Sequence, residues 1–315
     1  MKTSPYMNIN RIEFLVTLQC TGKCKHCSVG PRLNENSDKC VDLEKAIDAV
    51  KKLSARFPVE SLMTFGGEPL LYAETTCSIH KIAKQCGIEK RQLITNGYFS
   101  KDPQVIREIA KKICQSGINE ILLSVDAFHQ ERIPLETVRL FVEELIRCEF
   151  QNVYLQPAWV INSSHQNAYN ETTWDILKSF SDLGIAITNG NDIFPAGNAV
   201  KYLREFFELP ERIDLSAKCG EAPYTDRLDN IRSLSIEPNG DVAICEFKIG
   251  NIYESDINNI VNNYDPFTNV MMNALMDGGV NALMLFAKQH GKVIDTSDCY
   301  SSCSVCGKIL SEFKV

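Results

Sequence analysis

Three absences narrow the reading of this chain before any motif is considered. No apolar run approaches the roughly 20 residues that a membrane-spanning helix needs; the longest, such as Ile12 to Leu18 and Ala282 to Ala287, are far shorter, so no membrane segment is expected. The N-terminus, Met1 to Asn10, has no apolar stretch followed by a cleavage site, so no secretory signal is expected and the protein is placed in the cytoplasm. Lys and Arg form no basic stripe and the formal net charge is -7. That balance argues against a nucleic-acid backbone as the main partner, because such binding relies on clustered cations.

Cysteine, in contrast, is plentiful: 13 in 315 residues, of which 44% are hydrophobic and 23% charged. A chain of this length buries a sizeable core without disulfides, and the cytosol keeps thiols reduced, so metal or cluster ligation is the better account of the cysteines.

Up to about Asn198 short β-type runs alternate with amphipathic ones, without low-complexity segments or long linkers. Strands are predicted at Ile12 to Leu18, Leu62 to Phe65, Gln92 to Thr95, Glu120 to Val125, Val153 to Trp159 and Ile185 to Thr188. Between them apolar residues recur at helical spacing, as in Leu43, Ile47, Val50 and Leu53, or Val138, Phe141, Val142 and Leu145. Asp102 and Pro103 suit a helix start, and Gly87, Gly117 and Gly184 suit helix stops. The order is β then α, about six times, which implies a parallel sheet. Later the pieces shorten: Ser233 to Ile236 and Val242 to Cys245 flank a Pro238-Asn239-Gly240-Asp241 turn, a strong hairpin signal. Helices are predicted at Pro266 to Met276 and Val280 to His290, before a cysteine-rich tail. The expected division is residues 1-205 and 206-315.

Cys20, Cys24 and Cys27 directly follow the first strand. Three thiolates wrap one face of a cluster and are one fewer than the four irons of a cubane require, which leaves an iron for an exogenous ligand. The alternative is a structural zinc site, but such sites usually supply four ligands in two pairs, and only His26 stands nearby as a fourth. The C-x3-C-x2-C spacing, with His26 at the aromatic position before the last cysteine, resembles the signature of the radical S-adenosylmethionine superfamily. Further along, Gly66-Gly67-Glu68-Pro69 looks like that family's GGE motif, which receives the methionine amino group. Thr95-Asn96-Gly97 and Ser124-Val125-Asp126 stand where the family contacts methionine and ribose, and Phe194-Pro195-Ala196-Gly197 where a segment borders the adenine. For Asp126 a helix cap is the competing reading. All these motifs sit at the C-terminal ends of predicted strands, the edge where α/β sheets and barrels gather ligands.

Cys219, Cys245, Cys299, Cys303 and Cys306 form a second group, with Gly240-x4-Cys245 in the hairpin and Cys299-x3-Cys303-x2-Cys306 in the tail. The arrangement resembles the family's SPASM or twitch auxiliary-cluster domains. Five cysteines imply one auxiliary cluster. The pairing common in such domains implies Cys219, Cys245, Cys303 and Cys306 as ligands, with Cys299 the spare thiol or an alternative ligand. Cys40, Cys77, Cys86, Cys114 and Cys148 have no mutual spacing and read as core or surface residues. His129 is a candidate to approach cofactor or substrate, against a purely structural role; Trp159 and Trp174 default to core packing.

The resemblance implies an α/β fold, a partial (β/α)6 TIM-like barrel with a small C-terminal α+β twitch/SPASM-like domain. It also implies two 4Fe-4S clusters, S-adenosyl-L-methionine, a flavodoxin- or ferredoxin-type electron donor, and hydrogen abstraction from substrate by a 5'-deoxyadenosyl radical. The leading substrate expectation is a ribosomally made peptide, epimerised or cross-linked; the alternatives are oxidation of a small metabolite and a non-catalytic iron-sulfur scaffold or sensor. Against epimerisation, Glu246 rather than a second cysteine follows Cys245; either Cys299 substitutes as hydrogen donor or the reaction is oxidative. Only 19 residues precede Cys20, so no N-terminal recognition domain is expected, and a peptide would reach the open sheet edge or the cleft between barrel and tail.

Overall fold

A computed structural model describes residues 4-33 and 40-313; the first residues of the Met1 to Asn10 segment lie outside them. The barrel half runs β1 (Met7–Leu15), α1 (Leu43–Arg56), β2 (Ser61–Phe65), α2 (Ala73–Gln85), β3 (Lys90–Thr95), α3 (Pro103–Ser116), β4 (Glu120–Ser124), α4 (Ala127–Gln130), α5 (Leu135–Arg147), β5 (Val153–Gln156), β6 (Ala158–Trp159), α6 (Ala168–Lys178), β7 (Ala186–Ile187), β8 (Asn191–Asp192) and α7 (Asn198–Tyr202). The remainder supplies β9 (Ile231–Ile236), β10 (Asp241–Ile244), β11 (Phe247–Asn251), α8 (Ile257–Asn263), α9 (Val270–Gln289) and α10 (Ser302–Phe313).

Local chemistry explains the helix starts. Asp42 caps α1 by accepting from the Lys45 backbone, and Asp102 caps α3 by accepting from Gln104, with Pro103 supplying a pre-set φ at the first helical position. Each helix then turns one apolar stripe to the sheet, as in Ala46, Ala49, Val50 and Leu53 of α1.

One nine-stranded sheet runs β11-β10-β9-β1-β2-β3-β4-β5-β7. Its barrel strands pair in parallel. The C-terminal hairpin is not detached from them, because β9 pairs in parallel with β1, with Phe14 opposite Ile236. The main core accordingly mixes Ile12, Phe14 and Leu62 with Leu234, Ile236 and Val242. A second core packs β3 to β5 against α3 and α5, and a third holds Cys24, Phe128, Val160 and Ala199 beneath the first cysteine loop.

Two expectations change in detail. The strand drawn from Val153 to Trp159 breaks at Pro157, which has no N–H to give the ladder, and β6 leaves to pair with β8 in a separate two-stranded sheet. The two helices drawn on either side of residues 277–279 stand as expected, since Gly278 and Gly279 leave helical geometry and divide α9 in two. Gly279 has φ +66°, and a side chain there would meet the Ser216 carbonyl oxygen at 2.3 Å. By length and composition α9 is apolar enough to cross a membrane, but its Met271, Met272, Leu275, Val280 and Leu283 are part of the main core. Trp174 does not enter the core: it is half-exposed and leans on the buried Trp159, with ring centroids 4.8 Å apart.

Candidate functional site

The loop after β1 and the turn after β2 are stitched together by backbone. Gly67 N donates to Thr17 O at 2.8 Å and Glu68 N to Gln19 O at 2.7 Å. Side chains have no room at this seam, since a Cβ on Gly67 would lie 2.0 Å from Gln19 O and one on Gly66, at φ +142°, 2.5 Å from Thr17 O. The seam fixes where the cysteine loop leaves the sheet.

Within that loop Gly22 N donates to Cys20 Sγ at 3.3 Å and Asn96 Nδ2 approaches the same sulfur at 3.8 Å. Asn198, 174 residues beyond Cys24, pins the far side: its Nδ2 donates to Cys24 O at 3.1 Å and its N to Cys27 O at 3.0 Å. Sequence reasoning missed Asn198, which carries no motif; its only signal is that it follows Gly197. A cavity with about 570 Å³ of space free of protein atoms opens here, lined by Cys20, Cys24, Cys27, Gly66, Asn96 and His129 among others.

The two carboxylates expected to touch cofactor are both buried and hold hydrogen bonds within the protein. Glu68 is fully buried; its Oε1 accepts from Leu70 N (2.9 Å) and Thr95 Oγ1 (2.7 Å), and its Oε2 from Asn96 N (2.8 Å). It thus ties the end of β2 to the end of β3 and keeps one acceptor position, on Oε2. Burial, only partly offset by those donors, pushes its pKa up to about 7.

Asp126 is more fully engaged by the protein. Its Oδ1 accepts from Phe128 N and His129 N, both at 3.0 Å, and its Oδ2 contacts His129 Nδ1 at 2.8 Å and accepts from Ala158 N at 3.0 Å. A carboxylate has about four acceptor positions. Four contacts are made within the protein, so the group caps α4 and orients His129, the helix-cap role that competes with a ribose contact. Burial opposes its ionisation, but the His129 charge and hydrogen bond outweigh burial and hold it down at about 2.

Burial alone would keep His129 neutral, yet Asp126 and then the Cys24 thiol raise its basicity well above the ordinary range. His26 packs against Phe128 and His129, with ring centroids 5.1 and 5.0 Å away; burial lowers its pKa to about 4 and its Nδ1 has no hydrogen-bond partner. Ser124 lines the cavity with Thr95 and Asn96. Pro69 is buried at the first position of a short 3-10 turn, and Pro195 is half-buried beside the exposed Phe194.

Burial, followed by the Glu68 charge, pushes Cys20 up to about 12, and burial raises Cys27 as well. A bound metal supplies the positive charge that buried thiolates need. Three converging thiols on an open cavity, with no fourth protein sulfur beside them among the described residues, therefore fit a cluster with one free iron.

Cys219, Cys245, Cys303 and Cys306 are close enough to act on one another. Cys306 is raised by burial and by the neighbouring Cys219, Cys245 and Cys303, and Cys219 by burial, Cys245 and Cys303, up to about 11. Cys245 holds φ +52°, a strained left-handed conformation for a residue with a side chain, at the end of β10. Cys299 is buried in the main core and approaches Asp298 rather than the other thiols. Cys40, Cys77, Cys86, Cys114 and Cys148 lie outside both groups. Of these, Cys114 and Cys148 are neighbours, and burial, followed by the hydrogen bond with Cys148, raises the Cys114 thiol.

A model of the Radical SAM superfamily matches residues 14–195, more than half of the chain. The chain belongs to the radical SAM superfamily. A model of the SPASM iron-sulfur cluster-binding domain matches residues 230–307. The cofactors of this radical SAM enzyme are thus S-adenosylmethionine, a 4Fe-4S cluster in the barrel and auxiliary iron-sulfur chemistry in the C-terminal part. Among curated proteins it is similar to the GTP 3',8-cyclase of Aquifex aeolicus, at 29% identity over 59% of this chain and 57% of that one. It is also similar to a probable GTP 3',8-cyclase of Methanocaldococcus jannaschii, at 28% over 42% and 41%. The chain thus spans about half, or less, of the length of these relatives. The solved structure of anSMEcpe with bound AdoMet has TM-score 0.51 at 12% identity, covering 96% of each chain, a likeness of fold.

Proposed function

We propose that this radical SAM enzyme modifies a ribosomally made peptide in the cytoplasm, receiving electrons from a flavodoxin- or ferredoxin-type donor. The bound cluster and S-adenosylmethionine supply, after one-electron reduction, a 5'-deoxyadenosyl radical that takes a hydrogen from substrate. Cys20, Cys24 and Cys27 hold the first cluster, and the Gly66-Gly67 seam and Asn198 hold that loop in place. Thr95, Asn96, Ser124 and the remaining acceptor position of Glu68 face S-adenosylmethionine, and Pro195 borders its adenine. Cys219, Cys245, Cys303 and Cys306 hold one auxiliary 4Fe-4S cluster, and Cys299 is the spare thiol.

The observation that carries the peptide reading is the β7 edge. β7 ends the sheet, is paired on one side only among the described residues, and exposes both Ala186 and Ile187. Phe194, after β8, is a further exposed apolar side chain, at 59%. An extended peptide adds to such an edge through main-chain hydrogen bonds. The likeness to GTP 3',8-cyclases favours a nucleotide as the second reading. The described cavity lining offers no Lys or Arg to a triphosphate, however, and triphosphate binding relies on such cations.

The test incubates reconstituted enzyme, S-adenosylmethionine and reductant with peptides encoded beside its gene, with GTP, or with small polyol metabolites, and follows 5'-deoxyadenosine and product mass. Peptide-stimulated deoxyadenosine with a changed peptide mass or stereochemistry supports the proposal. Stimulation by GTP or a metabolite alone refutes it.

A further inference from the structure

Helix α9 breaks at Gly278 and Gly279, and the break is filled by another part of the chain. In an unbroken α-helix Val280 N would donate to Met276 O and Asn281 N to Asp277 O, each four residues back. Both bonds are exchanged here for bonds to one segment, residues 215–218. Asn281 N donates to Leu215 O at 2.7 Å and Val280 N to Ala217 O at 3.2 Å. The two released carbonyls are taken by a single ammonium, Lys218 Nζ, at 2.7 Å from Met276 O and 3.0 Å from Asp277 O. A cation at a helix C-terminus matches its charge as well as its hydrogen bonding. The fit leaves no slack: Gly279 has φ +66°, and a Cβ there would lie 2.3 Å from Ser216 O.

The segment so gripped leads directly into Cys219. Its other end is tied to α10, because Ser302 Oγ, one residue before Cys303, donates to Asp214 O at 2.6 Å. Around the cysteine the chain folds back, with Lys218 N donating to Glu221 Oε2 at 2.9 Å and Gly220 N to Thr225 Oγ1 at 3.0 Å. Residues 207–219 contain no helix or strand, so the position of the Cys219 sulfur depends on where this loop is fastened. We propose that the break in α9 is a socket that sets Cys219 in place for the auxiliary cluster, with Lys218 and Gly279 as positioning residues. The inference rests on the reading of Cys219 as a ligand of that cluster. Groups beyond the direct ligands orient them and tune the metal site they build.

The experiment reconstitutes the full chain and its Lys218→Met, Lys218→Arg, Gly279→Ala and Cys219→Ala variants, and records iron content, the EPR of the reduced clusters and backbone hydrogen exchange over residues 276–283. Lys218 is exposed, so its replacement leaves the fold intact. In Lys218→Met, exchange at Val280 and Asn281 rises about threefold or more, as the loss of a modest hydrogen bond implies. The auxiliary signal falls together with iron, while the S-adenosylmethionine-sensitive signal of the first cluster stays. Lys218→Arg, which also donates to carbonyls, keeps the auxiliary signal, and Gly279→Ala loses about four irons. Faster exchange with an unchanged auxiliary signal in Lys218→Met overturns the proposal, since the socket would then serve packing alone; unchanged exchange overturns it too. Loss of auxiliary iron in Cys219→Ala, with none in Lys218→Met or Gly279→Ala, refutes the socket alone. Full iron in Cys219→Ala refutes the ligand assignment on which the socket rests.

Discussion

Asp126→Asn separates a cofactor ligand from an internal hub. An amide keeps one acceptor oxygen and gains two donors. If that oxygen stays on the α4 side, it still serves Phe128 N and His129 N, and the new NH2 group faces Ala158 N and His129 Nδ1. His129 can respond by changing tautomer, but Ala158 N–H cannot. One buried backbone donor is stranded, at about 1–3 kcal/mol, and the remaining bonds lose their charge assistance, about 1 kcal/mol more. The expected loss is about 2–4 kcal/mol, a large share of the roughly 5–15 kcal/mol that holds a typical domain. Thermal unfolding of the cluster-free chain, wild type against variant, reads this as a drop of several degrees. S-adenosylmethionine affinity of the reconstituted variant, by equilibrium dialysis, should change less than threefold. An unchanged melting temperature with affinity weakened tenfold or more would refute the hub and restore the ribose contact.

Gly67→Ala places a methyl carbon 2.0 Å from Gln19 O, so the seam must open; the variant should lose about four irons per chain in chemical analysis, and normal iron content would contradict the seam's role. Cys303→Ala should likewise lose about four irons from the auxiliary centre, whereas Cys299→Ala keeps them; the reverse pattern would reassign the ligands. His80 is fully buried, with Nε2 2.8 Å from Thr64 Oγ1, and burial, then Arg91, lowers its pKa to about 3. Its folded pKa lies below the unfolded one, so its stability contribution is intact above about pH 6.5 and is lost as pH falls toward 3, by roughly 2 kcal/mol at pH 5. Urea midpoints at pH 7 and 5 should diverge less in His80→Gln than in wild type, and equal divergence would refute the assignment.

Much of this was legible in sequence because it is local. The parallel β/α order follows from alternation and capping at residues such as Asp102 and Pro103, and the cysteine groups announce themselves by spacing. What escaped is what long-range packing decides. Asp126 and Glu68 are the same residue types whether they meet a ligand or backbone donors, and only the fold counts their partners. Asn198 acts across 174 residues on Cys24. The pairing of β9 with β1 joins segments more than 200 residues apart, which made the hairpin read as a separate unit. β8 and β11 escaped because each gains its pairing from a neighbour rather than from its own alternation.

The central claim, that Cys20, Cys24 and Cys27 hold the cluster that works on S-adenosylmethionine, is tested most directly by replacing all three with Ala and measuring iron together with reductive cleavage. The wild type should bind about eight irons and release 5'-deoxyadenosine; the variant should keep about four, in the auxiliary centre, and release none. Zinc in place of iron, or undiminished cleavage in the variant, would contradict the account.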